Sequence, residues 1–260
     1  MHFTLLRNLA CLFLVGSLLI SLQTHNYVLM CLWGGCTGLL FIYKPMRPFL
    51  LTTIGLGVGF AIYLFINSSW ILDLKPKEWH ILLNRLSLIC IIIPLLVMAF
   101  VQKLPFMLYA KKPHWNEQIG IPFIWSGFRQ SKVNVFLLIA IAAVSLAFMP
   151  FVIRNEWGNV QGIWLFTLAF SIINVLEEII WRGVLLSRFS EQLGDKWAVI
   201  VTSAGFGLQH YSLGFSWGIC IAFALGGLYF GGITIKSKSI IPVVIWHTWI
   251  NVLMILSGFL

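Results

Sequence analysis

Apolar residues fill this chain in long blocks that are oily on every side, and polar residues gather in the short gaps between them. Blocks of this kind suit helices that cross a bilayer, which takes about 20 residues. Nine such spans are predicted, at roughly 6–22, 27–43, 49–66, 81–102, 133–153, 162–189, 197–213, 215–235 and 239–258. Strands of a membrane barrel would instead alternate in polarity over about 10 residues, and no such alternation is present. The expected fold is therefore an all-α polytopic transmembrane bundle. It divides into four N-terminal spans (1–102), a cytoplasmic loop at the membrane surface (103–132) and a second membrane domain (133–260).

Composition agrees. The chain is 60% hydrophobic and only 10% charged, against about 25% charged residues in soluble domains. Its net charge of +9 does not imply a nucleic-acid partner, because the basic residues sit at the ends of the apolar runs, where they set orientation. With the N-terminus inside, Arg7, Lys44, Arg47, Lys103, Lys111, Lys112, Arg129, Lys132, Arg188, Lys196, Lys236 and Lys238 fall on the cytoplasmic side; Lys75, Lys77, Arg85 and Arg154 fall outside. The first span is expected to be retained, since no Ala-x-Ala-like cleavage site follows it. The five cysteines lie inside apolar runs with no Cys-x-x-Cys pair, which suggests neither a disulfide framework nor a thiolate metal site. Loop 103–132 mixes Trp115, Phe123 and Trp125 with basic residues, as an interfacial segment would.

Some polar groups do not sit at the ends. Glu177, Glu178 and Arg182 interrupt the run 163–186, His210 lies in the seventh span, and His247 and Asn251 lie in the ninth. A charge at the bilayer centre costs about 2.5–3.5 kcal/mol on insertion scales, so these positions point to function. At 1.5 Å per residue, His247, Asn251 and His210 lie about 12, 18 and 21 Å from the inner ends of their helices. Glu177 lies about 20 Å deep if its helix continues to Phe189. The four can then meet at one level. Helical rotation brings Glu178 and Arg182 together as a supporting i,i+4 pair and turns Glu177 away from them, toward a cavity. Glycines at 205, 207, 226, 227, 231 and 232 allow the last helices to pack closely.

The motifs Glu-Glu-x-x-x-Arg at 177–182, Phe-x-x-x-His at 206–210 and His-x-x-x-Asn at 247–251, in this order on membrane helices, resemble the CAAX-protease and bacteriocin-processing family of intramembrane proteases. The resemblance covers about residues 133–258. It implies that Glu177 and His210 activate the attacking water and that His247 and Asn251 stabilise the oxyanion. Peptide hydrolysis needs such a base and such donors. Glu177, His210 and His247 could also supply the ligands of a divalent metal such as zinc. No His-Glu-x-x-His helix is present, so the glutamate-dependent mechanism is taken first and the metal second. The expected activity is endopeptidase cleavage of membrane-associated or lipid-anchored substrates, at a cavity open to the cytoplasm, in a bacterial plasma membrane. Two other readings remain: a non-catalytic scaffold or bacteriocin self-immunity protein that keeps the pocket, and a proton-coupled transporter. The transporter predicts paired broken helices in a repeat, which the sequence lacks.

Overall fold

The computed structural model describes residues 2–155 and 160–259. The order is α1 (His2–Gln23), α2 (Tyr27–Phe41), α3 (Arg47–Ile66), α4 (Lys77–Leu86), α5 (Ile89–Val101), a hairpin of β1 (Gln118–Phe123) and β2 (Ser126–Lys132), α6 (Val133–Arg154), α7 (Val160–Ile173), α8 (Val175–Glu178), α9 (Leu186–Leu193), α10 (Asp195–Gln209), α11 (Trp217–Ser237) and α12 (Ile241–Leu256). Six helical runs among the described residues are long and apolar enough to cross a membrane: Thr4–Gln23, Lys44–Ile71, Lys77–Val101, Val133–Arg154, Trp164–Leu193 and Trp217–Ser237. Helices α2 and α12 are shorter apolar segments. The protein is thus an all-α integral membrane protein apart from its hairpin.

Contacts between distant segments sort the bundle into two ends. At one end Phe49 meets Phe189 with ring centroids 4.9 Å apart, Tyr109 Oη and Ser190 Oγ are 3.3 Å apart, and His114 N–H donates to Ser237 O at 2.8 Å. Most of the basic residues of the predicted loops gather here, and this is called the basic end. At the far end Gln23 Nε2 donates to Leu208 O at 3.1 Å, Ser212 N–H donates to Gln23 Oε1 at 2.8 Å, and Asn155 Nδ2 donates to Leu256 O at 3.0 Å.

The interfacial loop foreseen at 103–132 holds more order than its sequence suggests. Strands β1 and β2 pair antiparallel, from Gln118 opposite Lys132 to Phe123 opposite Ser126. Ile119 and Ile124 pack with Val133, Phe136, Phe230, Ile233 and Val243 in one buried cluster. Polar atoms of the loop meet the α11–α12 junction, where Ile240 N–H donates to Tyr109 O at 3.0 Å. The hairpin therefore caps the basic end of the last two helices.

The larger core cluster joins the two halves of the chain, with Val15, Phe49, Phe60 and Ile91 from the first half and Trp181, Val199 and Phe206 from the second. Close helix approach makes this possible. A Cβ at Gly207 would collide with the backbone of Cys220 and with Ala224, so α10 and α11 touch without a side chain between them. The same holds at Gly59, whose Cβ would lie 2.6 Å from Ile91 Cα. The glycine pattern had pointed to the α10–α11 contact.

Candidate active site

The central polar stretch sits where its helix changes pitch. Helix α7 ends at Ile173, Asn174 separates it from the single turn α8, and Ile179–Leu185 are π-helical before α9 begins. Asn174 stands at the N-cap of α8 without capping it; its Nδ2 donates instead to Glu177 Oε2 at 3.3 Å. The helix therefore does continue past Arg182 to Leu193, as the depth argument required, but through a wide segment of i→i+5 bonds, a feature frequent at functional sites.

Four ionised side chains meet in this buried region. Glu178 Oε1 accepts from Arg182 Nη1 at 2.9 Å, the pairing expected from the sequence, and also faces His247 Nδ1 at 2.6 Å. The Arg182 guanidinium lies over the Phe206 ring at 4.0 Å and near that of Phe230 at 5.0 Å. Cation–π contact of this kind makes up part of the lost hydration. Glu177 Oε1 accepts from Arg85 Nη1 at 2.8 Å and from Gln209 Nε2 at 3.1 Å. Glu177 Oε2 lies 3.8 Å from His247 Nε2. Glu177 and Glu178 are each 1% exposed and Arg85 8%. Two anions and two cations balance, and balance is the condition under which buried charges are tolerated.

Arg85 corrects the sequence reading, which placed it among the outer loop charges. It closes α4 and turns into the bundle, where its guanidinium also lies 5.9 Å from the Phe170 ring centre. Glu177 does face a cavity, and one of its oxygens is held by Arg85 and Gln209, a contact that the sequence reading did not contain. One signal could have found Arg85. It lies inside the apolar run 81–102, and the pairing of Glu178 with Arg182 leaves Glu177 without a counterion.

Each of the two histidines is held through its Nδ1. His210 Nδ1 lies 2.7 Å from Phe206 O. A carbonyl can only accept, so Nδ1 carries the proton and Nε2 of the neutral ring is left as an acceptor. The ring stacks on Phe223 with centroids 4.0 Å apart. Gly214, at φ +87°, ends the 3₁₀ turn that holds His210, a left-handed conformation that favours glycine. His247 Nδ1 faces the Glu178 carboxylate, which directs Nε2 toward Glu177.

Glu177, His210, His247 and Asn251 all line one cavity of about 140 Å³, together with Arg85 and Asn174. Glu178 and Arg182 lie behind it. The remaining walls are apolar, with Phe170, Phe215, Phe223, Phe230, Ile250 and Met254 among them. Along α8 and α7 the lining runs from Glu177 back to Phe170, along α11 from Phe230 back to Ala222, and along α12 from His247 on to Met254. All three directions lead away from the basic end. A cytoplasmic N-terminus and a cavity open to the cytoplasm, both expected from the sequence, cannot both hold for an opening along this path.

Among the described residues, no group of three His, Cys, Asp or Glu side chains is arranged to hold a metal ion. Glu177, His210 and His247 share the cavity, but Glu177 Oε1 is engaged by a cation. The set does not fit a resident zinc.

Residues 159–253 match the model of the type II CAAX prenyl endopeptidase Rce1-like family. The match lies in the C-terminal part of the chain and covers less than half of its length. No curated protein and no solved structure matches the chain. The matched stretch contains Glu177, Glu178, Arg182, His210, His247 and Asn251, and it starts well after Arg85.

Proposed function

We propose that this protein is an intramembrane endopeptidase that hydrolyses peptide bonds of membrane-associated or lipid-anchored substrates. The observation that carries the reading is the convergence of Glu177, His210, His247 and Asn251, from three separate stretches of the Rce1-like match, on one cavity within the membrane-spanning bundle. Water bound between Glu177 Oε2 and His210 Nε2 adds to the scissile carbonyl. Its proton passes to this pair, and the carbonyl oxygen becomes an oxyanion held by the Asn251 amide and by Nε2–H of His247, a ring that then donates from both nitrogens, Nδ1–H to Glu178 and Nε2–H to the oxyanion. As the C–N bond breaks, the proton goes to the departing amine. Apolar walls suit aliphatic or aromatic side chains beside the bond and keep other water away. Glu178 would act on His247 alone, orienting the ring through Nδ1–H and favouring the form that also carries a hydrogen on Nε2, with Arg182 neutralising the carboxylate.

The test is cleavage by the full chain in proteoliposomes. One probe is an internally quenched prenyl-Cys-aliphatic-aliphatic-X peptide, the chemistry that the family description names; the other is a set of quenched apolar peptides anchored by an acyl chain. Cleavage of either by the wild type, and of neither by a folded Glu177→Gln variant, is the expected result. A wild type inert toward both probes would leave the scaffold reading in its place. So would a Glu177→Gln variant as active as the wild type.

A further inference from the structure

The Rce1-like match begins at residue 159, yet one of the groups that touches the central carboxylate comes from α4, in the other half of the chain. We propose that Arg85 is a positioning residue of the active site: by holding Glu177 Oε1 it fixes the carboxylate so that Oε2 faces the cavity, and it makes the N-terminal helices a working part of the protease. This rests on the proteolytic reading above and deepens it.

Three observations carry the proposal. The first is the contact itself, an Nη1–Oε1 distance of 2.8 Å between two side chains that are both almost fully buried. Salt bridges on a surface contribute little, but a desolvated pair has no water to take over either partner. The second is the division of the carboxylate. Arg85 and Gln209 both address Oε1, which leaves Oε2 near Asn174 and His247, on the side where the cavity and His210 lie. A carboxylate with one oxygen clamped can present the other in a single direction, the placement that water activation requires. The third is that the clamp is itself braced. Asn84, beside Arg85, donates through Nδ2 to Asn67 Oδ1 at 2.5 Å, and Tyr63 Oη donates to Asn84 Oδ1 at 3.2 Å. Asn67 Nδ2 in turn donates to Ser87 Oγ at 2.9 Å. This network ties the end of α3 to the α4–α5 turn and sets where the guanidinium can reach.

The assignment also separates roles. With Glu177 clamped as an anion, His210 Nε2 is the group free to take the proton from water, and Glu177 acts by orienting that water.

Arg85 variants in proteoliposomes, assayed on whichever of the two probes the wild type cleaves, test the proposal. Arg85→Ala is expected to lower kcat about 100-fold, the size of effect that a misplacement of about 1 Å produces, with KM changed less than about threefold. Added guanidinium ions should restore part of the rate of Arg85→Ala in a saturable way, and Arg85→Lys should keep a larger share than Arg85→Ala. A structural role alone would produce neither effect. Should Arg85→Ala not fold, Arg85→Lys and Arg85→Gln carry the same comparison. Wild-type kcat in any folded variant without the cation would overturn the proposal. A loss confined to KM would also overturn it and make Arg85 a substrate contact. Activity that survives in Arg85→Ala but not in Glu177→Gln would defeat this inference alone, whereas activity that survives in Glu177→Gln would defeat the proteolytic site as a whole.

Discussion

Helices α1–α5 and α7–α12 are built from comparably oily sequence, but they satisfy their buried polar groups differently. In the first set several buried hydroxyls turn back on their own helices: Ser21 donates to Leu18 O, Thr52 to Pro48 O and Thr53 to Phe49 O, while Tyr63 reaches Asn84 near the far end of α3. Bonds within one helix are local, so they place no demand on neighbouring helices. In the second set Thr202 and Thr234 turn back in the same way, but carboxylates, guanidiniums and imidazoles are buried as well, and bonds of these run between helices, as from Glu178 to His247 and from Glu177 to Gln209. A carboxylate accepts several hydrogen bonds and donates none, and its own helix has no spare N–H to offer. The second set is therefore forced into one arrangement by its ionisable groups, while the first is arranged mainly by the fit of apolar surfaces, with one neutral polar network between α3 and the α4–α5 turn. Arg85 is the exception, an ionised group of the first set spent on the second.

Several substitutions would break or sharpen this contrast. Removing the central carboxylate by Glu177→Gln should abolish cleavage, with a loss of about 10³-fold or more measured on the quenched peptides. His247→Ala and Asn251→Ala should each cost about 10²–10³-fold in kcat if they hold the oxyanion, with smaller changes in KM. Arg182→Met leaves Glu178 buried without its cation. It should cost about 3–5 kcal/mol of stability, seen as a large fall in melting temperature in detergent; a melting temperature unchanged from wild type would show that the pair is not a structural requirement. Gly207→Leu tests apolar fit within the second set, where overpacking should cost about 1–3 kcal/mol.

The smallest effect on activity is expected from two cysteines that report orientation. In a background with the exposed Cys31 and Cys36 changed to serine, Ser216→Cys marks the end toward which the cavity runs and Lys111→Cys marks the basic end. An impermeant maleimide applied from outside should label position 216 and spare position 111 if the basic end is cytoplasmic. The reverse pattern would put the cavity on the cytoplasmic side and break the charge rule for this chain.

The polar core also shows how far a linear reading can go. Axial depth was legible for Glu177, His210, His247 and Asn251, because rise per residue is nearly constant and each could be counted from a basic helix end. The Glu178–Arg182 pair was legible because it is local to one helix. Arg85 was misread because counting charges by loop cannot tell a residue just outside a span from one just inside it. The hairpin was missed because Ile119, Ile121, Ile124 and Trp125 form only a short apolar stretch broken by Gly120 and Pro122, and their burial depends on α11 and α12 lying beneath them.

The sequence by itself determined that this is a helical membrane protein, which residues are polar at depth, and which stretch carries the protease motifs. Those properties follow from hydrophobicity and from the spacing of a few residues along the chain. Only the tertiary structure decided that Arg85 clamps Glu177, that Glu178 holds His247, and that the cavity runs away from the basic end. Each of these depends on the rotation and axial offset of helices that are far apart in the chain. The π-helical turn after Glu178 changes that rotation through hydrogen bonding that the residue types do not announce.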